Sequence, residues 1–156
     1  MNDIFKLFED LIFVSDREKL IDEIEIVRRE IFSANGVDGL EKTLSKQISD
    51  SRAREFFIYL NKNKKSTFDV HTIEEILESL RFKVSSFEVV TIHLPIELKR
   101  SELSEMHKKL TKLLGKPILL DIHVEPSLLG GLKLEHGGVY IDLSLSTVVK
   151  KMTLQT

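Results

Sequence analysis

The sequence predicts an α+β fold, with an N-terminal antiparallel bundle of about five helices over residues 1–84 and a small β-α-β-β-β-α domain over residues 85–156. All three prolines and five of the seven glycines lie after residue 94, which is typical of helices before that point and of turns after it. The hydrophobic repeat also changes there, from helical spacing to alternation. The length of 156 residues fits two small domains.

Composition excludes several kinds of chemistry. The chain has no cysteine, so disulfides, thiolate metal sites and cysteine nucleophiles are absent. Its formal net charge of −2 gives no basic field for nucleic acid, and no nucleic-acid partner is expected. No apolar run approaches the ~20 residues of a spanning helix, so we expect no direct membrane insertion. The first residues resemble neither a signal peptide nor a transit peptide.

Helical spacing of apolar residues defines five segments in the N-terminal part. A capping box at residues 15–18 predicts the start of the second helix, and Thr72 with Glu75 predicts the start of the fifth. Short joints predict antiparallel packing. The five apolar stripes are Ile4, Leu7, Phe8, Leu11 and Ile12; Leu20, Ile24, Val27 and Ile31; Leu40, Leu44 and Ile48; Ala53, Phe56, Phe57 and Leu60; and Ile73, Ile76, Leu77 and Leu80.

The C-terminal part begins with a predicted strand over residues 87–94, which is rich in β-branched side chains and ends before Pro95. A helix follows from Ser101, and Gly115 provides its left-handed stop. Strict alternation over residues 117–125 predicts a second strand. The predicted buried stripe of the helix consists of Leu103, Met106, Leu110, Leu113 and Leu114.

The remaining elements are a turn over residues 126–131, a short strand over residues 132–135 and a return strand over residues 139–142. Gly137-Gly138 is a hairpin signal between the two strands. A last short helix carries an apolar stripe of Leu145, Val148, Val149 and Met152.

No catalytic set can be assembled, so we expect no catalytic, cofactor-binding or metal-binding residues. The paired glycines of the two turns are interpreted as positions that need a positive φ. His123 and Glu125 share a polar strand face, close to which His93 is expected. Solvated strand positions explain these side chains better than a metal site, because no H-x-x-x-H pair or cysteine accompanies them.

Residues Val124 to Gly131, which read Val-Glu-Pro-Ser-Leu-Leu-Gly-Gly, and the pair Ile141-Asp142 resemble the C-terminal signature of a known family. This is the delta subunit of F-type ATP synthase, called the oligomycin-sensitivity-conferring protein in mitochondria. The resemblance covers roughly residues 85–152. Relative to the family, the helical bundle is shortened at its start and the sequence after Asp142 diverges. The residues that carry the family pattern, to which we assign a role in maintaining the fold, are Pro126, Gly130, Gly131 and Asp142.

The resemblance implies a non-catalytic peripheral-stalk, or stator, subunit that needs no cofactor. It would link the catalytic alpha/beta head to the membrane-anchored b subunits on the cytoplasmic face of the cell inner membrane, without forming a homo-oligomer. The alpha N-terminal segments would bind the helical part and the b C-terminal helices the sheet part. The interface residues expected from this are Ile4, Phe5, Phe8, Ile76 and Leu80 for alpha, and Leu145, Val148, Val149 and Met152 for b.

Two alternatives belong to other functional classes. One is a scaffold or regulatory interaction module of an unrelated complex with a similar sheet domain. The less favoured one is a metal- or ligand-binding enzyme domain that uses the face containing His123, Glu125 and His136.

Overall fold

The computed structural model describes residues 11–31 and 70–153 of the chain. These residues form four helices and a four-stranded mixed sheet, so the α+β class is confirmed. The elements are α1 (Val14–Ile31), α2 (Val70–Ser85), β1 (Glu88–Leu94), α3 (Arg100–Leu114), β2 (Ile118–Val124), a 3₁₀ turn (Pro126–Leu128), β3 (Lys133–His136), β4 (Val139–Asp142) and α4 (Leu145–Thr153).

The described residues divide into two compact units. One contains residues 11, 15–31 and 70–86, and the other contains residues 12–14 and 87–153. The bundle of about five helices is not confirmed, because its other predicted helices lie outside the described residues. The assignment of residues 1–84 and 85–156 to two domains stays a prediction.

In the first unit, α1 and α2 are linked by ion pairs. Arg28 donates to Glu78 at 2.7 Å and to Glu74 at 3.0 Å. Three residues earlier on α1, Glu25 lies 3.6 Å from Arg81, which is further along α2. The two helices therefore run antiparallel across these contacts. The hydrogen bond with Glu74 raises the pKa of Arg28, against a smaller opposing effect of burial.

The sheet of the second unit has the strand order β2-β1-β3-β4. Strands β1 and β2 are parallel and are joined through α3, whereas β3 pairs antiparallel with both β1 and β4. The predicted β-α-β-β-β-α order is confirmed. So is the hairpin, whose Gly137 and Gly138 have φ values of 56° and 79° and thus the two positive φ angles that a tight I′-type turn requires.

The core of this unit lies between α3 and one face of β1 and β2. Along each strand alternate residues face α3, as the period of two requires. Partly buried side chains of Met106, Leu110 and Leu114 on α3 and of Leu132 and Leu134 near β3 pack against this core. Its buried members are Val90, Ile92, Leu94, Leu103, Ile118 and Leu120.

One residue of the predicted buried stripe of α3 was assigned wrongly. Leu113 is 80% exposed, while His107 is buried and its Nε2 lies 2.9 Å from the carbonyl oxygen of Ile118. At about 100° per residue, position 113 lies at the margin of the stripe centred on Leu103, and position 107 lies within it. A buried imidazole is tolerated there because the carbonyl group satisfies it.

The start of α1 also differs from the prediction. The helix begins at Val14, so Ser15 lies inside its first turn and does not cap it. Leu11 and Ile12 are not helical, and Phe13 forms an isolated parallel bridge with Leu120 of β2. The amide of Leu120 donates to the carbonyl of Ile12 at 2.7 Å. Ile12 and Phe13 pack on the sheet core, and this burial outweighs their helical spacing.

Candidate partner-binding surface

Large apolar side chains are exposed mainly in the last part of the described chain. Of the exposed large hydrophobic residues in the described ranges, most lie after residue 123. A contiguous exposed apolar surface is typical of a protein interaction site. The exposed apolar residues of this region are Val124, Leu129, Val139, Tyr140, Ile141, Leu143, Leu145, Val148, Val149 and Met152.

Helix α4 contributes the clearest apolar face. Leu145, Val148, Val149 and Met152 occur at i, i+3, i+4 and i+7, so they form one stripe. All four are exposed, between 44% for Val148 and 69% for Met152, and α4 has no buried residue. An exposed apolar stripe on an amphipathic helix is typical of a surface that binds another molecule.

Two lysines give this helix a positive charge. Lys150 and Lys151 are exposed in the last turn of α4. At about 100° per residue they lie on opposite sides of the apolar stripe. Basic side chains at a helix C-terminus complement the helix dipole, and long lysine stems can reach along an apolar surface. The face therefore combines apolar contact with positive flanks.

A hydrogen-bond network, here called the Asp142 network, anchors the start of α4. It consists of Asp142, Ser144 and Thr147. Asp142 Oδ1 accepts from the Ser144 amide at 2.9 Å and from Ser144 Oγ at 2.6 Å, and Asp142 Oδ2 accepts from Thr147 Oγ1 at 2.8 Å. Ser144 is fully buried and precedes the first residue of the helix, in the N-cap position. The hydrogen bonds from the Ser144 hydroxyl and amide, with a contribution from Thr147, lower the pKa of Asp142 to about 2.

The glycine pair before β3 lets the start of α4 approach the turn. A Cβ on Gly131, whose φ is 73°, would lie 2.1 Å from the Leu143 carbonyl oxygen. A Cβ on Gly130 would lie 2.6 Å from Leu145 Cδ1. The Gly130 carbonyl accepts from the Leu145 amide at 3.0 Å. The predicted positive φ is thus found at Gly131 but is wrong for Gly130, where the close approach of Leu145 is the reason for glycine.

Toward the carboxyl ends of β1 and β2, the sheet face opposite α3 carries polar side chains. The rings of His93 and His123 stack with centroids 5.2 Å apart, as their register on β1 and β2 requires. His123 Nε2 lies 3.0 Å from Asp121, and His93 Nδ1 lies 3.4 Å from Glu125. Lys133 donates to Glu125 at 3.0 Å, which lowers the pKa of the carboxyl group and raises the pKa of the lysine.

These side chains pair with one another, within β2 and between neighbouring strands. Within residues 11–31 and 70–153, no three histidine, aspartate or glutamate side chains are grouped so that they could hold a metal ion. His136 does not join His123 and Glu125, because its Nε2 lies 2.7 Å from Glu88. Hydrogen bonds from Lys116 and then from His136 lower the pKa of Glu88. The residues of the alternative enzyme site are therefore divided between two separate ion-pair clusters.

The predicted interface residues occur in different environments. Leu145, Val148, Val149 and Met152 share the exposed face of α4. Ile76 and Leu80 lie on α2 and are buried, at 4% and 0% exposure. Ile4, Phe5 and Phe8 lie outside the described residues. Pro126 begins the 3₁₀ turn, and Gly130, Gly131 and Asp142 lie where α4 joins the sheet.

Sequence reasoning missed Ser144 and Thr147. The signal was present, since a serine two residues after an aspartate and three residues before a threonine is an N-capping pattern ahead of an apolar helix. It also missed the exposure of Val139 and Ile141. Their alternation in β4 predicts a strand but does not say whether anything covers it.

The comparison with protein families decides the identity. The family described as ATP synthase delta (OSCP) subunit matches residues 2–155. The chain belongs to this family. The match confirms the family that was predicted from residues 124–131 and 141–142. It also confirms the predicted role of a peripheral-stalk subunit of ATP synthase.

Two relatives in the delta family are similar to the chain. The ATP synthase subunit delta of Rhodopseudomonas palustris (strain BisA53) is 30% identical over 129 residues, which is 81% of this chain and 68% of the relative. The chloroplastic ATP synthase subunit delta of Ochrosphaera neapolitana is 29% identical over 115 residues, which is 73% of this chain and 63% of the relative. The chain therefore aligns with about two thirds of the length of these relatives.

Among solved structures, the chain is similar to one chain of the Toxoplasma gondii mitochondrial ATP synthase hexamer, determined by cryo-electron microscopy. The identity is 17%, the match covers 90% of this chain and 81% of that chain, and the TM-score is 0.38. This score is too low to support an argument. The delta family is a structural stator family, whose members are peripheral components of a membrane complex. In the described part of this chain, no helix is both long and apolar enough to span a bilayer.

Proposed function

We propose that the chain is a non-catalytic connector that holds the catalytic alpha/beta head of an ATP synthase to its membrane-anchored b subunits. It would lie at the cytoplasmic face of the inner membrane and transmit mechanical load. The family match over residues 2–155 carries this proposal. The two compact units support it, because a connector needs a separate surface for each end.

The sheet unit is the proposed site for the C-terminal helices of the b subunits. Its α4 offers an apolar stripe at helical spacing, which fits helix-to-helix packing. Lys150 and Lys151 favour a partner helix with acidic side chains beside its own apolar stripe. This charge complementarity distinguishes the b helix from a second copy of the chain, whose α4 would bring the same two lysines.

The helical unit is the proposed site for the N-terminal segments of alpha. Ile76 and Leu80 are buried on α2, so they would support the wall of a groove from beneath. Ile4, Phe5 and Phe8 stay predictions for the same groove. A synthetic peptide of the alpha N-terminus is expected to bind the full chain. Calorimetric titration of the chain with this peptide measures the binding, and the absence of binding heat would contradict this half of the proposal.

The b-subunit site can be tested with the full chain and a purified C-terminal segment of the b subunit. The double substitution Val148→Asp with Met152→Asp is expected to weaken binding on the order of a hundredfold, because two carboxylates would be desolvated at the helix face. Calorimetry measures the dissociation constant.

Leu113→Asp is the matched control for this experiment. Leu113 is also an exposed apolar residue of the same unit, but it lies on α3. Its substitution is expected to leave binding unchanged. Equal losses in the double variant and in the control would refute α4 as the site. Unchanged binding by His123→Ala is also expected, since this side chain belongs to the polar face.

A further inference from the structure

The first turn of helix α4 carries hydrogen bonds to the rest of the sheet unit. No side chain of the helix is buried, and its apolar residues are all exposed. The attachments lie before or within the first four helical residues: Leu145 donates to Gly130, and the Asp142 network holds Ser144 and Thr147. These bonds fix the direction in which the helix leaves the sheet.

The two carboxylate oxygens of Asp142 have separate tasks. Oδ1 binds Ser144, the residue before the helix, through both the amide and the hydroxyl. Oδ2 reaches Thr147, which lies inside the first turn. Because Asp142 is the last residue of β4, it connects the strand to two successive points on the path of the helix. Two such points fix a direction, whereas one would allow the helix to pivot.

We propose that Asp142, acting through Ser144 and Thr147, is the positioning residue that sets the orientation in which α4 presents its apolar face to a partner helix. The assignment of a partner to that face rests on the proposed function. The orientation itself does not. The Asp142 network thus determines how well a rigid partner fits, while the stability of the sheet depends on the core between α3 and the strands.

The network differs from an ordinary helix cap in its consequence. A cap on a packed helix adds to the stability of the whole domain. Since α4 buries no side chain, releasing its first turn removes little packing from the domain. The expected signature is a loss of partner affinity and of helix order, with a fall in the unfolding midpoint of the sheet that is clearly smaller than in Leu103→Ala.

Orientation is measured first, on the free full chain, by residual dipolar couplings of backbone amides. In Asp142→Asn and Thr147→Val, the couplings over residues 145–153 are expected to shrink toward zero, while those of β1 to β4 keep their values. Thr147→Ser, which retains the hydroxyl group, restores the couplings. Couplings that stay the same in Asp142→Asn and Thr147→Val would overturn the proposal, whatever the partner is.

Affinity is measured second, by calorimetry with the purified C-terminal segment of the b subunit. Asp142→Asn is expected to weaken binding roughly tenfold through the lost charge-assisted hydrogen bonds. Ser146→Ala is the control, because Ser146 contacts only the Ser144 hydroxyl in the network, at 3.0 Å, and does not touch Asp142. It is expected to bind as the wild type does.

The outcomes separate the two ideas. If the wild-type chain does not bind the b segment, the proposed partner is wrong, and the dipolar couplings alone decide the positioning role. If the wild type binds and Asp142→Asn binds equally well, the positioning role is refuted. A fall in the unfolding midpoint of the sheet by as much as in Leu103→Ala would also refute it, because Asp142 would then be a general stabilising residue.

Discussion

Helix α3 packs Leu103 and His107 against the sheet, whereas α4 of the same unit has no buried side chain. Both helices carry an apolar stripe of similar spacing, so the sequence pattern does not distinguish them. The two helices also differ in the residues at their ends. Helix α3 ends in a left-handed glycine, Gly115, and α4 begins at a buried serine that Asp142 holds. One helix is held by packing and the other by hydrogen bonds.

The difference indicates what each apolar stripe is for. A stripe that covers a sheet contributes to folding at about 25 cal/mol for each Å² removed from water. A stripe that is only half covered, such as that of α4, contributes less until a partner covers the rest. The exposed stripe of α4 is thus available for association, and its attachment through polar bonds allows it to be placed without being buried. Substitutions in the two helices should separate these two contributions.

The largest expected effect is at the crossing between the glycine turn and the start of α4. Gly131→Ala is expected to lower the free energy of unfolding by about 4 kcal/mol, because a Cβ 2.1 Å from the Leu143 carbonyl adds a backbone clash to the cost of a positive φ. Urea denaturation measures this. Gly137→Ala also has a positive φ, 56°, but has nothing within 4 Å, so it should cost only about 1 kcal/mol. Equal costs would mean that Leu143 can move freely.

The next effect compares the two stripes directly. Leu103→Ala on α3 is expected to lower the free energy of unfolding by about 3 kcal/mol, since Leu103 belongs to the buried core. Val148→Ala on α4 should change it by less than about 0.5 kcal/mol, because Val148 is 44% exposed. Thermal unfolding of both variants tests the contrast. A large loss in Val148→Ala would show that α4 is packed as α3 is.

The smallest expected effect is the pH dependence that Asp142 adds. Its pKa is about 2 in the folded protein and about 3.9 in an unfolded chain. Between these values the unfolded state binds more protons, so stability rises with pH. The contribution is fully present above about pH 4 and is lost as the pH falls through about 2.

Asp142→Asn isolates this contribution from the other acidic groups. Glu88 and Glu125 also have lowered pKa values, so the wild-type curve contains their titration as well. The difference in urea midpoint between the wild type and Asp142→Asn should shrink from pH 5 to pH 2. A difference that stays constant over this range would contradict the assignment of the low pKa to Asp142.

The sheet part of the fold could be predicted because the residues that end its strands and helices act locally. Pro95, Gly115 and the pair Gly137-Gly138 end or turn the chain for reasons that lie in their own backbone preferences. The surface location of the α4 stripe could not be predicted from spacing, which is the same for a covered and an uncovered helix. The resemblance to a family, and not the periodicity, identified that stripe as an interface.

The failures have one physical cause, which is contact between residues distant in sequence. Ile12 belongs to a predicted helical stripe, yet its carbonyl accepts from the amide of Leu120. The adjacent Phe13 pairs with Leu120 and lies under Arg100, whose guanidinium carbon is 5.4 Å from the ring centroid. His107 replaces Leu113 in the core because a carbonyl group of β2 happens to face it. No local pattern contains these partners. The Asp142 network is the exception, since all of its members lie within six consecutive residues.

The bridge between Phe13 and Leu120 has a consequence for how the protein is made and handled. Residues 12 and 13 leave the ribosome long before β2 does, so this bridge at the edge of the sheet forms only after roughly 100 further residues have been synthesised. A fragment that begins at residue 85 would lack Ile12, so the Leu120 amide would lose the carbonyl to which it donates. Strand β2 would then carry an open edge on which a second molecule could add a strand, and such a fragment is expected to self-associate.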